Sequence, residues 1–289
     1  MTAAPSRRPE IRVVCVTYHP GAELAEFAES LQEATTRPVE LVLVENGDDP
    51  TVVNEVGERH GARVLLSGAN LGYGSAANLG AAGATAPWLV VANPDLRWHP
   101  GSLDTLLAAT ARHPEAGAFG PRVLSSDGTV YPSARALPSL TTGIGHALLV
   151  RVWPGNPWTR AYQADLADRD DEHRAGWLSG SCLLLRRAAF EAVGGFDEAY
   201  FMFFEDVDLG DRLARAGWAS VHVPGAVVTH EQGTSWRHRP EPMIRAHHDS
   251  AARYLSGRYG EWYQWPVRTA LRIGLRIRLA AEVRAARRG

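Results

Sequence analysis

Three carboxylates, Glu205, Asp206 and Asp208, stand within four residues directly after the aromatic run YFMFF. Rings packed beside a carboxylate keep water from it and raise its proton affinity towards that of a working general base. Acids in a first helical turn also complement the helix dipole, which accounts for one or two of the three and leaves the rings unexplained. A second polar group, Asn93-Pro94-Asp95, ends the apolar run WLVVA. A carboxylate fixed at a strand terminus is placed to hold a divalent cation that bridges diphosphate oxygens, although a proline turn with an Asx cap fits the same residues. His230, in VVTHEQGTS, offers an imidazole that either completes a metal shell begun by Asp95 or serves structurally.

A glycine-rich turn, NLGYGSAANLG from Asn70 to Gly80, follows a strand-like run and opens a helical one. Glycines admit close approach of a ligand, and a helix N-terminus favours phosphate. The spacing Gly72-x-Gly74-x-x-Ala77 comes near the dinucleotide fingerprint, with Asp95 about 20 residues further on. A tight strand-helix turn with Asn78 capping locally reads equally from these residues.

Such groups need a scaffold, and the first half alternates β-type runs with helical stretches, the pattern of an α/β fold with a mostly parallel sheet. The runs are IRVVCVT, VELVLVE, ARVLLS and WLVVAN; helices are expected near 22–34, 50–59, 72–84 and 101–112. Ligands of such sheets bind beyond the carboxyl ends of the strands, which selects Thr17-Tyr18, Glu45-Asn46, Gly68-Ala69-Asn70 and Asn93-Pro94-Asp95. Residues 132–176 read as long loops of a substrate lid around one helix. GWLSGSCLLLRR then predicts a strand, EDVDLGDRLARAG a helix ended at Gly217, ASVHVPGAVVTH a strand to His230, and 241–258 a helix.

With 289 residues, 45% of them apolar, the chain buries a full core in one large domain with an extension. Cys15 and Cys182 lie too far apart for a zinc or redox motif and read as buried packing residues of a reduced compartment. The start MTAAPSRRPE has no apolar core of a signal peptide, and no apolar stretch is long enough to span a bilayer. Within a net charge of −2, residues 268–289 hold seven arginines against one glutamate, a basic end on an acidic body. That asymmetry suggests an anionic surface as partner. The alternation of apolar and basic residues in LRIGLRIRL leaves helix and strand both open for this end. The tail has no aromatic platforms and the body is acidic, so no nucleic-acid role is expected.

Five motifs occur in order: ANLGYGSAANLG, VANPDLRW, VYPSAR, GWLSGSCLLLRR and VGGFDEAYFMFFEDVDLGDRLARAGW. From Ile11 to about Tyr259 this order resembles family 2 of the inverting glycosyltransferases, which have the GT-A fold. More narrowly it resembles the actinobacterial rhamnosyltransferases that act on N-acetylglucosaminyl-diphospho-decaprenol in synthesis of the cell-wall arabinogalactan linkage unit. The resemblance implies residues 1–10 as a disordered N-terminus, 11–240 as the catalytic domain, and 241–289 as a C-terminal helix and membrane-associating basic tail. Within the catalytic domain the donor half covers about 11–121 and the acceptor half about 122–240.

Site roles follow from the same resemblance. Thr17, Tyr18 and Glu45 border the nucleotide base and ribose, while Asn70, Gly74 and Asn78 lie near the ribose and diphosphate. Asp95 and His230 hold a divalent metal, Mg²⁺ or Mn²⁺. The family's Asp-x-Asp motif has Asn93 at its first position here, a neutral ligand that removes one negative charge. Asp206 matches the catalytic base, with Glu205 as the alternate, and Trp177, Ser179 and Gly180 lie where the acceptor sugar is held.

The implied partners are a dTDP-sugar donor, a polyprenyl-diphosphate-linked acceptor and the inner face of the plasma membrane; assembly into a homo-oligomer stays open. The rivals are transfer of another sugar such as galactofuranose or glucose, a silent sugar-nucleotide binder, and an NAD-dependent oxidoreductase built on Gly72-x-Gly74. The oxidoreductase leaves Glu205, Asp206, Asp208 and His230 without a joint role.

Overall fold

The computed structural model describes residues 8–139, 153, 156–157, 169–231 and 240–287. Most of the expected lid, and residues 1–7 of the expected disordered N-terminus, lie outside the described residues. The strands are β1 Ile11–Thr17, β2 Val39–Glu45, β3 Arg63–Leu66, β4 Trp88–Ala92, β5 Leu96–Trp98, β6 Ala116–Ser125, β7 Val130–Tyr131, β8 Ala134–Arg135, β9 His173–Ala175, β10 Trp177–Leu178, β11 Cys182–Arg186 and β12 Ala219–His230. The helices are α1 Glu23–Ala34, α2 Thr51–His60, α3 Tyr73–Ala81, α4 Ser102–Arg112, α5 Arg187–Ala192, α6 Glu205–Arg215, α7 Pro240–Arg258 and α8 Trp265–Ala286.

The main sheet runs β3-β2-β1-β4-β11-β6-β12-β5. Its first four strands are parallel, as their near-continuous apolar runs demand of a sheet covered on both faces. Strand β1 alternates accordingly, sending Val13 and Cys15 into one apolar layer with Leu24 and Phe27 of α1, and Val14 and Val16 into the other with Ala76 and Ala77 of α3. Both cysteines are buried and unpaired.

Beyond β4 the sheet departs from the parallel expectation, because β11 pairs antiparallel with both β4 and β6. Two reversals restore the original direction, and β12 runs parallel to β6. The carboxyl ends of β1, β2, β4 and β12 therefore share one edge with the start of β11. That edge gathers Thr17, Glu45, Asn93, Ser181 and His230, residues spread across most of the chain.

The basic tail is a helix. Leu271, Leu275, Leu279 and Val283 recur every fourth residue, giving an inward stripe that the local alternation with arginine conceals. Helix α8 lies antiparallel on α7: Arg287 pairs with Glu241, Glu282 faces His248, and Arg272 bonds Ser256. Its outer side leaves Trp265, Ile273 and Ile277 in solvent, and Trp262, in the turn just before it, is 81% exposed.

Candidate active site

Helix α6 begins from strained backbone. Phe203 and Phe204 both adopt a left-handed φ of 66°, a region that costs a non-glycine residue about 1–3 kcal/mol and persists only where its surroundings enforce it. The enforcement comes from α7. Ser250 donates its hydroxyl to the Met202 carbonyl at 2.8 Å, and the His247 ring meets the rings of Phe203 and Phe204 edge-on at 5.6 and 5.5 Å. Tyr254, buried, packs on Phe204. This bend buries Glu205 and leaves Asp206 half-buried beside it, while Val207, Leu209 and Leu213 anchor the helix below.

The two adjacent acids receive opposite treatment. Asp206 accepts the backbone N–H of Gly180 on Oδ2 at 2.9 Å and that of Val207 on Oδ1 at 2.8 Å. Burial raises its proton affinity, and these donors and the Arg135 guanidinium pull it back. Glu205 is buried with Oε2 unpartnered among the described residues, and burial beside Asp206 pushes it up to about 8. The two N–H donors and Arg135 favour the negative charge of the pair on Asp206, and burial without such donors favours the proton on Glu205. Asp208 stands apart, paired with Arg212 at 2.6 Å one turn along.

The acceptor-side residues meet Asp206 through a small ladder. Strand β10 pairs with β8, Trp177 opposite Arg135, and Ser179 N–H bonds the Ser133 carbonyl. Trp177 is half-buried, with its indole N–H on the Ala136 carbonyl at 3.1 Å. The expected strand GWLSGSCLLLRR is thus broken at Ser179–Ser181, and the break carries the Gly180 N–H that holds the base. Tyr73, which the sequence reading passed over, donates its hydroxyl to the Gly180 carbonyl at 2.6 Å and so fixes the same residue from α3.

On the donor side, Thr17 and Glu45 are buried and bonded to each other at 2.7 Å, and Glu45 also accepts the Gly47 N–H. Tyr18 is half-buried beside the His19 ring. Asn46, noted only as a strand-end residue, joins β2 to the glycine-rich turn: it donates to Asn70 Oδ1 and accepts from Leu71 N–H.

The glycines of that turn admit protein. A Cβ on Gly72 would lie 2.2 Å from the Phe201 carbonyl oxygen, and one on Gly74 would meet the Phe196 Cβ at 2.9 Å. Asn78 bonds both the N–H and the carbonyl of Phe196. The turn's glycine and asparagine spacing is therefore explained by close packing against residues 195–205, and the dinucleotide resemblance loses its footing. Gly74 and Asn78 stand with this packing, whereas Asn70 remains exposed on the turn.

The third group is compact. Asp95 Oδ1 lies 3.0 Å from His230 Nε2, and the Asn93 amide lies 3.2 Å from the same nitrogen. Neighbouring corners of an octahedron with bonds of about 2.1 Å stand about 3 Å apart, so this spacing suits a small divalent cation. Carboxylate, imidazole and amide oxygen are appropriate ligands, the amide after a half-turn. His230 Nδ1 is buried without a partner among the described residues. Among the described residues no group of three or more His, Cys, Asp or Glu converges on one point.

Comparison with known proteins agrees with this architecture. The family model described as "Glycosyltransferase like family 2" matches residues 9–246. The N-acetylglucosaminyl-diphospho-decaprenol L-rhamnosyltransferase of Mycobacterium tuberculosis is 49% identical over 96% of this chain and 94% of its own. The mannosyltransferase PcManGT of Pyrobaculum calidifontis, solved with GDP-Man and Mn²⁺, superposes over 97% of this chain and 77% of its own with a TM-score of 0.57 at 16% identity. GalNAc-T7, solved with UDP, GalNAc and Mn²⁺, covers 82% of this chain and 47% of its own with a TM-score of 0.59 at 14% identity. A mixed sheet flanked by helices is the GT-A arrangement these neighbours share, and the chain belongs to glycosyltransferase family 2.

Proposed function

We propose that this glycosyltransferase transfers L-rhamnose, with inversion, from dTDP-rhamnose to N-acetylglucosaminyl-diphospho-polyprenol. The observation that carries the donor and acceptor is the 49% identity with the mycobacterial rhamnosyltransferase across nearly the whole length of both chains. The site supplies the chemistry. Asp206, ionised and held by two N–H donors, takes the proton of the attacking acceptor hydroxyl. Glu205 retains its proton beside it, which keeps a second negative charge away from the incoming diphosphates. Trp177 offers its ring to the apolar face of the acceptor sugar, while Ser179 and Gly180 leave room for it. Thr17, Tyr18, Glu45, Asn70 and Asn93 border the donor nucleotide and diphosphate; Gly74 and Asn78 shape that pocket through packing.

Asp95 and His230, with Asn93, would hold the divalent cation, which when bound offsets charge on the leaving diphosphate. Among the described residues no helix is long and apolar enough to cross a membrane. Contact with an anionic leaflet falls instead to the outer side of α8. There Ile273 and Ile277 are exposed, and Arg276 and Arg284 have no ion pair among the described residues.

The test is transfer of radiolabelled rhamnose from dTDP-rhamnose to N-acetylglucosaminyl-diphospho-polyprenol, with Mg²⁺ or Mn²⁺ and with EDTA. Metal-dependent lipid product is expected. Absence of product alongside transfer from another nucleotide sugar overturns the donor and keeps the glycosyltransferase.

A further inference from the structure

Arg135 is the acceptor-side residue whose chemistry the preceding assignments leave unused. It sits on β8 directly opposite Trp177, with its guanidinium 5.8 Å from the centre of the Trp177 ring. Nε donates to the Pro132 carbonyl at 3.1 Å, which fixes the plane of the group. Its two terminal nitrogens have no hydrogen bond or ion pair among the described residues. The arginines of the neighbouring helices differ: Arg212, Arg253 and Arg258 each face a carboxylate. Arg135 lies close enough to the base to favour the ionised form of Asp206, and it acts likewise on Tyr131.

A guanidinium that is oriented by the Trp177 ring and a backbone bond, half-buried and with no ion pair among the described residues, is built to receive a planar or tetrahedral oxyanion through two parallel N–H bonds. The acceptor proposed above brings such a group, because its sugar is joined to lipid through a diphosphate. The metal-site residues at the ends of β4 and β12 serve the other diphosphate, that of the donor. We infer that Arg135, stacked on Trp177 beside Asp206, binds the diphosphate of the lipid-linked acceptor, so that sugar ring and phosphate are gripped by adjacent residues of one strand pair. This inference rests on the proposed acceptor class and not on the identity of the donor sugar.

The experiment measures calorimetric affinity for two probes, an alkyl diphosphate-linked N-acetylglucosamine and the N-acetylglucosamine glycoside of the same alcohol, with dTDP as a third ligand. Wild type should prefer the diphosphate probe. Arg135→Gln should weaken that probe alone, by about 10- to 100-fold, the range charge-assisted hydrogen bonds span. Arg135→Lys, which keeps the charge and loses the paired donors, should fall between. Equal weakening of both probes, or none, overturns the inference, and weakening of dTDP instead assigns Arg135 to the donor. These bindings are read without rhamnosyl transfer, so failure of the donor assignment and failure of the Arg135 assignment are seen separately.

Discussion

The backbone N–H of Gly180 donates to Oδ2 of Asp206 at 2.9 Å, across 26 residues of sequence, while the Gly180 carbonyl accepts from Tyr73 at 2.6 Å. One residue, through the peptides on either side of it, thereby ties the base to the donor-side helix and sets the side of Asp206 that faces the acceptor. Asp206→Asn keeps the shape and removes the proton acceptor. Turnover should fall by about 10²- to 10⁴-fold while calorimetric affinity for dTDP is unchanged. Near-normal turnover would remove Asp206 from the role of base.

Glu205 gives a stability signature. Its proton is held to about pH 8 in the folded protein and released near the ordinary carboxylate value of about 4.3 once unfolded. Between those values the folded state binds the extra proton, so stability declines as pH rises and levels off above 8. Glu205→Gln abolishes this decline. Its Tm should exceed that of wild type by roughly 5 °C at pH 9 and match it near pH 4.5, as read by scanning calorimetry across that range.

Ser250 tests whether the strained bend matters to catalysis. Ser250→Ala deletes the bond to Met202 and lets Phe203 and Phe204 relax towards ordinary backbone. Expected is a drop of about tenfold in kcat with KM for the donor unaltered, and recovery in Ser250→Thr, whose hydroxyl restores the bond. A parallel rise in KM would point to general loosening instead.

The Asp95–His230 pair predicts how metal dependence responds. His230→Gln should raise the Mn²⁺ concentration needed for half-maximal rate by roughly tenfold or more, and Asp95→Asn should do so further. Paramagnetic resonance of free Mn²⁺ in the presence of dTDP gives the same comparison without turnover. Unchanged Mn²⁺ binding in both variants would move the metal elsewhere.

Helix α8 should direct binding to lipid. Ile273→Glu with Ile277→Glu places two charges on the exposed side and leaves the inward leucines untouched. Cosedimentation with vesicles rich in anionic phospholipid should fall sharply, and wild-type binding should weaken as salt rises. Vesicle binding indifferent to both would leave the tail without this role.

Much of the donor half was legible because each layer spoke for itself. Strands β1, β2 and β4 are near-continuous apolar runs, and the observed bounds of β1 and β2 are those of IRVVCVT and VELVLVE. Strand β6 went unseen because AGAFGPRVLS has two glycines and Pro121, which only its central place between β11 and β12 overrides. The tail's helix was hidden by arginines spaced among its leucines. Of the site, the acids and the Asn93–Asp95 and His230 segments stood out by residue type. Asn46, Tyr73, Arg135 and Ser250 did not, since each acts through a partner 24 to 107 residues away or through a neighbouring strand.

The brace on Phe203 and Phe204 also constrains how this enzyme can be recombined. Ser250 and Tyr254 lie past residue 246, where the family match ends, and both are buried. A fragment cut at that boundary would retain the acids, the metal ligands and the acceptor ladder, yet release the bend that aims the base. Chimeras between relatives of differing sugar preference should therefore inherit α7 together with α6, whichever parent supplies the nucleotide pocket.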